Sequence, residues 1–335
     1  MEREVKNRNA GAAEPPRWRH ALGTIGGVFL GAVLLFAVWA KALDPGAFAQ
    51  EIRDLRLDFL LPAGAMVFVA LAIEAGLGSA LLFGIRRLWV LLPTVALVAF
   101  FLFLTGRDYW LDSRGLLEAG AGCGCFGNLV QRTPAEAFWQ DLFLLVPALA
   151  LAFVARPGPD RPVPWNRLGA SGLVTVAAVL FTWKSPDLPL DDLATRLKPG
   201  VEVSALCAGG GDDQVCLASL APWLAEGRSV VVLTDLDNER FLAGIEDLNR
   251  YSLAEGSSPL RVLTTADSEA RHEFFWLHGP AFELVEVPEQ LLRPLYRTLP
   301  RSFIVEEGEV VATYSGLPPL PEAGTPVMAS GREDR

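Results

Sequence analysis

Four cysteines carry the chemistry this sequence can offer, and they come as two local pairs, Cys123-Gly124-Cys125 and Cys207 with Cys216. Paired thiols can ligate a metal, close a structural disulfide, or exchange electrons by thiolate attack on a disulfide. A zinc site needs further ligands, and the three histidines, His20, His272 and His278, are scattered. The C-x-C spacing is also tighter than the C-x₂₋₄-C of structural zinc sites, so no metal is expected. A bridge between Cys123 and Cys125 would close a tight ring against the dihedral and reach that a disulfide favours. Such bridges are easily reduced, which suits exchange. Gly124 supplies the backbone freedom to close the ring. A structural cross-link or two inert thiols is the competing reading, but stapling so short a loop contributes little stability. Cys207 and Cys216, with eight residues between them, can exchange or simply close a loop.

The elements that must position these thiols are of two kinds. The chain has 335 residues, 51% of them hydrophobic and 20% charged, with a mean hydropathy of +0.31. That is too apolar for a wholly soluble protein of this size. Residues 1–183 hold 16 basic and 14 acidic side chains, whereas residues 184–335 hold 13 and 25. The acidic second part is unsuited to nucleic acid, whose phosphates select basic surfaces.

Apolar runs at about 21–40, 60–84, 88–105 and 138–155 are long enough to span a bilayer, which takes about 20 helical residues. A fifth, at about 169–183, is short but uncharged and ends at Trp183-Lys184, an interfacial pair. No cleavable signal peptide is apparent, and residues 1–19 read as a disordered cytoplasmic tail. The N-terminal tail and the 84–88 and 156–168 connections hold five, two and three basic residues, while the 41–59 and 106–137 connections each hold three basic and four acidic ones. The positive-inside rule makes the first set cytoplasmic. Five spans then put the 106–137 loop and everything after 184 outside, so all four cysteines share the periplasmic or extracellular face of a multi-pass inner membrane protein. That compartment permits disulfides.

Several strings in the first part point to one family: Ala40-Lys41-Ala42-Leu43-Asp44-Pro45, Leu60-Leu61-Pro62, Glu74-Ala75-Gly76-Leu77-Gly78, and above all Cys123-Gly124-Cys125-Phe126-Gly127 before the fourth span. With Trp139-Gln140-Asp141 opening that span, residues 20–156 resemble the MauE/DoxX-like family of redox-associated membrane proteins, whose founding type is the methylamine-utilisation protein MauE. Gln140 departs from the basic residue expected there. The resemblance implies a four-helix membrane bundle linked to disulfide formation or maturation of envelope proteins. It supplies no cofactor with certainty; a membrane quinone is admissible at the bundle, although no motif specifies one. Glu74 is the candidate intramembrane polar site, since a mid-span carboxylate is costly and is often functional. Its structural alternative is a packing glutamate bonded to Ser79 or a backbone carbonyl. Lys41 and Asp44 read as a pair where the first helix stops at Pro45, and Asp141 reads as interfacial.

The second part alternates strand-like and helix-like pieces, an α/β pattern. Val201–Leu206, Ser229–Leu233, Leu260–Thr265, Phe282–Val287, Ser302–Val305 and Val310–Tyr314 read as strands, the last two joined by a turn at Glu306-Glu307-Gly308. From Leu299-Pro300 to Val311 this part resembles the end of a thioredoxin-like domain, which implies a cis proline at Pro300 beside the active-site sulfurs. There is no C-x-x-C. If Ser229–Leu233 were the first core strand, the thiol positions would fall near Asn238 and Phe241. If Val201–Leu206 were, Cys207 would end it and Cys216 would start the next helix, and this is the preferred alignment.

The expected organisation is therefore an α-helical transmembrane bundle at 20–156, a linker and fifth transmembrane helix at 157–184, an α/β thioredoxin-like domain outside the cytoplasm at 185–320, and a disordered tail at 321–335. The expected function is membrane-anchored thiol–disulfide exchange through Cys123, Cys125, Cys207, Cys216 and Pro300, with cysteine-containing envelope clients and membrane lipid as partners. The alternative is a non-catalytic assembly or chaperone factor whose disulfides are structural.

Overall fold

Each of the five apolar runs is helical in the computed structural model, which describes residues 16–59, 61–116, 132–154, 156, 162–208 and 214–320. The long helices are α1 (Arg17–Leu43), α3 (Ala63–Leu82), α4 (Leu88–Asp112), α5 (Pro134–Phe153) and α6 (Trp165–Lys184). All five are long and apolar enough to cross a membrane. A short helix, α2 (Pro45–Asp54), follows α1 directly. Asp44 caps it by accepting from the Ala47 N–H at 2.9 Å, and Pro45 occupies its first position, where no N–H is needed. The helix is thus restarted at Asp44-Pro45, not merely stopped.

Two expectations about helix limits are corrected. Arg17-Trp18-Arg19 belong to α1 and not to a disordered tail. The fifth helix is not short, because it begins at Trp165 after Pro164. A hydropathy run counts only apolar residues and misses the polar turn that lies in the headgroup region.

The helices alternate in direction. At one end, Arg86 in the turn between α3 and α4 donates to the carbonyls of Ala152 and Val154, at 3.3 and 2.8 Å, and to Thr24 Oγ at 3.5 Å. At the other end, Ser185 Oγ donates to the Leu43 carbonyl at 3.0 Å. Tyr109 near the end of α4 stacks on Phe138 near the start of α5. Exposed tryptophans mark both ends: Trp18, Trp89 and Trp165 at the first, Trp110, Trp139 and Trp183 at the second. Tryptophan concentrates at the two membrane–water interfaces, and these two groups fit that pattern. The chain thus enters and leaves the 113–133 connection at the end from which the C-terminal domain departs.

Inside the bundle, close approach replaces bulky packing. A Cβ at Gly31 would lie 2.5 Å from the Gly78 carbonyl of α3, and one at Gly26 would lie 2.5 Å from Leu151 Cβ of α5. Small residues at such contacts let backbones meet, the usual packing device between helices in lipid.

The C-terminal domain is built on a five-stranded mixed sheet. After a β-hairpin of β1 (Cys207–Ala208) and β2 (Val215–Cys216) come β3 (Arg228–Leu233), β4 (Leu260–Thr264), β5 (Glu283–Glu286), β6 (Arg301–Glu306) and β7 (Glu309–Ser315). The sheet order is β5-β4-β3-β6-β7. β4 is parallel to both β3 and β5, whereas β6 and β7 are antiparallel. Parallel neighbours need crossovers; the helices Glu239–Ala243 and Ile245–Leu253 supply one, and Ser268–His278 the other. Side chains of β3 alternate by face. Val230 and Val232 pack with Phe241, Leu248 and Phe274, while Val231 and Leu233 pack with Leu206, Leu217 and Leu295. The β6–β7 turn puts Glu307 at φ 49 and Gly308 at φ 83, the positive dihedrals of a two-residue hairpin loop. This is an α/β thioredoxin-like domain, with the Leu299–Pro300 peptide cis and Arg301 paired with Leu233 at the end of the central strand.

The preferred alignment of the core strand is overturned. Ser229–Leu233 lies within β3, which sits at the centre of the sheet. Val203–Ala205 is instead a 3-10 turn, and Glu202 touches the sheet only through an isolated bridge to Glu309. A short apolar run with serine and alanine in it does not distinguish a strand from a buried turn.

Candidate functional site

The thioredoxin-like domain has its active-site end without active-site sulfurs. Asn238 caps the helix that follows β3, accepting from the Arg240 and Phe241 N–H groups at 3.1 and 3.2 Å. Its amide donates to the Leu299 carbonyl at 3.2 Å, tying the helix start to the residue before Pro300. Phe241 is fully buried and stacks with Phe274. The positions expected for a reactive pair thus hold a cap and a core aromatic.

Cys207 and Cys216 form a disulfide. They face each other in the β1–β2 hairpin, with Cα atoms 3.9 Å apart. The hairpin is a separate two-stranded sheet. Leu206 accepts from the Leu217 N–H at 2.8 Å, closing the ladder behind the sulfurs. Cys207 is buried and Cys216 half-buried, so Cys216 Sγ is the more accessible target for an incoming thiolate. Arg196 donates to the Cys207 carbonyl, and to the Ala205 carbonyl at 2.9 Å. The guanidinium is thus held at the backbone of Cys207, and a cation close to a cysteine favours its thiolate. The helix after Cys216, Leu217–Leu220, is a single turn. Its dipole therefore adds little to thiolate stability.

The hairpin is tied to the membrane bundle. Leu206 and Ala208 pack with Leu291, Leu292 and Leu295. The next residues of that segment reach the bundle: Arg293 lies 3.7 Å from Asp44, and Arg297 donates to the Ser185 carbonyl at 2.7 Å, Ser185 Oγ at 3.0 Å and the Leu188 carbonyl at 3.1 Å. Ser185 bonds in turn to Leu43. A short chain of contacts thus runs from the sulfurs to the end of α1. Cys123 and Cys125 lie outside the described residues.

Asp44 is buried in this junction, and burial raises its pKa above the usual 3.8; Arg293, the Ala47 N–H and Arg297 offset part of that rise and Asp191 adds to it. A raised carboxylate pKa gives a contribution to stability that is present below the unfolded value and lost as pH rises through the folded one. Asp44→Asn, neutral throughout and still able to accept from Ala47, should therefore gain stability relative to the native chain as the pH rises above about 4. Thermal unfolding midpoints of the two proteins across that range check the direction.

Glu74 does not bond to Ser79, which instead donates to the Ala75 carbonyl at 2.6 Å and meets Ser171 Oγ at 2.8 Å. Nor does Lys41 pair with Asp44. Lys41 Nζ donates to Glu74 Oε1 at 2.6 Å, with both side chains 3% exposed. Lys41 also lies 4.8 and 5.0 Å from the ring centres of Phe48 and Phe101. Asp141, expected at the interface, is buried and receives a bond from Arg132 at 3.1 Å. The Lys41–Glu74 partnership is not visible in the spacing of charges along one helix, because it is set by which helices adjoin. No group of three or more potential metal ligands occurs among the described residues.

Residues 19–154 match the family described as "Methylamine utilisation protein MauE". That match spans α1 to α5 and stops before α6. No curated protein gives a significant match to the chain. Among solved structures, the chain is similar to a putative thiol:disulfide interchange protein DsbE from Chlorobium tepidum, at 14% identity and a TM-score of 0.28, over 37% of this chain and 89% of that one. Likeness at that level carries no function across.

Proposed function

We propose that this protein is a membrane-anchored thiol–disulfide exchange protein that relays electrons between its two cysteine pairs and cysteine-containing envelope clients. The observation that carries the reading is the Cys207–Cys216 disulfide, half-accessible at Cys216 and tied to the bundle end where the chain enters and leaves the segment holding Cys123 and Cys125. A thiolate of the Cys123/Cys125 pair, or of a client, attacks Cys216 Sγ. The Cys207–Cys216 bond breaks, a mixed disulfide forms, and Cys207 leaves as the thiolate beside Arg196. The second thiol of the attacking pair resolves the mixed disulfide. Two electrons and two protons have then passed to Cys207 and Cys216, and the attacking pair is oxidised; the reverse sequence uses the same bonds. The more basic connections lie at the other end of the bundle, and the positive-inside rule supports a cytoplasmic side there and a periplasmic or extracellular site for this chemistry. Maturation of an envelope client in methylamine utilisation is the specific role that the MauE match supports.

A second reading is favoured by Asn238 and Phe241. A thioredoxin-like domain without thiols at its active-site end can act as a binding module, making the protein an assembly factor with a structural disulfide. A redox titration of the full-length protein separates the two. Exchange requires that the Cys207–Cys216 bond equilibrate with glutathione in the folded protein, at a potential above about −300 mV. A bond that resists reduction until the protein is denatured supports the assembly reading.

A further inference from the structure

At the bundle end opposite the disulfide, a cleft of about 430 Å³ is lined by His20, Thr24, Phe83, Gly84, Arg86 and Arg167, with Leu82 as a further apolar wall. Its polar lining is one-sided. It includes two guanidiniums and an imidazole and, among the described residues, no carboxylate. Arg86 is 5% exposed and bonded to the Ala152 and Val154 carbonyls and Thr24 Oγ. Those partners hold the guanidinium in place without neutralising it, and no ion pair to Arg86 or Arg167 occurs among the described residues. A buried cation without a counter-ion is costly, and an anion in the cleft would offset that cost. Gly84, at φ 76, lets the turn pass beneath Arg167, whose Nη1 would lie 3.4 Å from a Cβ placed there. The exposed tryptophans Trp18, Trp89 and Trp165 share this end, which sets the cleft at headgroup level. Leu82 and Phe83 give it an apolar side toward the hydrocarbon.

We propose that this cleft binds the phosphate headgroup of an anionic phospholipid. The shared chemistry is a phosphate anion held between Arg86 and Arg167, with His20 and Thr24 as further hydrogen-bonding groups. The apolar side and the headgroup depth select a lipid over a free ion. Basic pockets between membrane helices on the cytoplasmic side are suited to such headgroups.

Native mass spectrometry of the full-length protein, released from nanodiscs of equal phosphatidylglycerol and phosphatidylcholine, tests this. The expected result is selective retention of phosphatidylglycerol, reduced about fivefold in Arg167→Gln, the loss of one cation near the membrane surface. Arg167 is exposed, so this variant should fold even if Arg86→Gln does not; helicity by circular dichroism checks that. Equal retention of both lipids overturns the proposal, as does unchanged selectivity in a folded Arg167→Gln. So does inorganic phosphate that displaces the lipid and stabilises the protein in its place, since the site would then be one for a small anion.

Discussion

Glu74→Ala should destabilise the membrane bundle by about 3–5 kcal/mol, the range for removing one partner of a buried ion pair. Lys41 Nζ and Glu74 Oε1 are 2.6 Å apart, and each side chain is 3% exposed. The variant removes the carboxylate that faces the Lys41 ammonium inside the bundle. The phenyl faces of Phe48 and Phe101, at 4.8 and 5.0 Å, offset part of that loss, by about 0.5–2 kcal/mol each. Glu74→Gln should cost less than Glu74→Ala because it keeps an acceptor of the same shape. The double variant Lys41→Met/Glu74→Met should recover most of the loss, since replacing a buried pair by apolar groups is often neutral. Thermal unfolding in detergent measures all three. A double variant as unstable as Glu74→Ala would show that shape, and not charge, is the requirement. The pair joins α1 to α3 one turn before the Asp44 junction, so the disulfide domain stands on the part of the bundle that this pair secures.

Arg301→Met should destabilise the C-terminal domain by about 1–3 kcal/mol for each buried acceptor it leaves unpaired. Arg301 is 1% exposed and follows the cis Leu299–Pro300 peptide directly. Its guanidinium donates to Thr195 Oγ, to the carbonyls of Leu295 and Leu197 at 3.0 and 2.8 Å, and to Asp192 at 2.9 Å. Burial lowers its basicity, while Asp191 and Asp192 favour the charged form. Methionine matches the length but strips donors from these acceptors, and unsatisfied buried acceptors carry their full desolvation cost. Arg301→Lys should fall between, because one ammonium cannot reproduce the fork. Denaturant unfolding followed by tryptophan fluorescence checks the order. Limited proteolysis should show the 188–226 segment opening first, as Arg301 binds it to β6. That segment carries the Cys207–Cys216 hairpin.

The two kinds of element in the chain differ in how far local sequence reaches. The spans follow from hydropathy alone, since a bilayer imposes a length on any apolar helix. The β6–β7 hairpin and the proline before it are marked by residues whose backbone demands are local, Glu307-Gly308 and Leu299-Pro300. The partners of Lys41, Glu74 and Asp44 are not legible this way, because each lies across a helix–helix or domain junction. Asp44 illustrates the difficulty: it is three residues from Lys41, yet it turns to Arg293, far along the chain. The core strand was ambiguous for another reason. Both 201–206 and 229–233 are short and apolar, and the cysteine at the end of the first drew the active-site alignment toward it. Cys207 and Cys216 nonetheless pair with each other, through hairpin register and not through a strand–helix turn.

The most direct test of the relay is a trap in the full-length protein carrying Cys125→Ser and Cys207→Ser. Each pair then keeps one thiol, Cys123 and Cys216, and lacks the one that would resolve a mixed disulfide. Membranes are equilibrated in an oxidising glutathione buffer, alkylated and digested without reductant, and the peptides are read by mass spectrometry. The account predicts a linked peptide joining Cys123 to Cys216, lost on reduction. Recovery of both cysteines only as alkylated or glutathionylated peptides, in a folded protein, would contradict it.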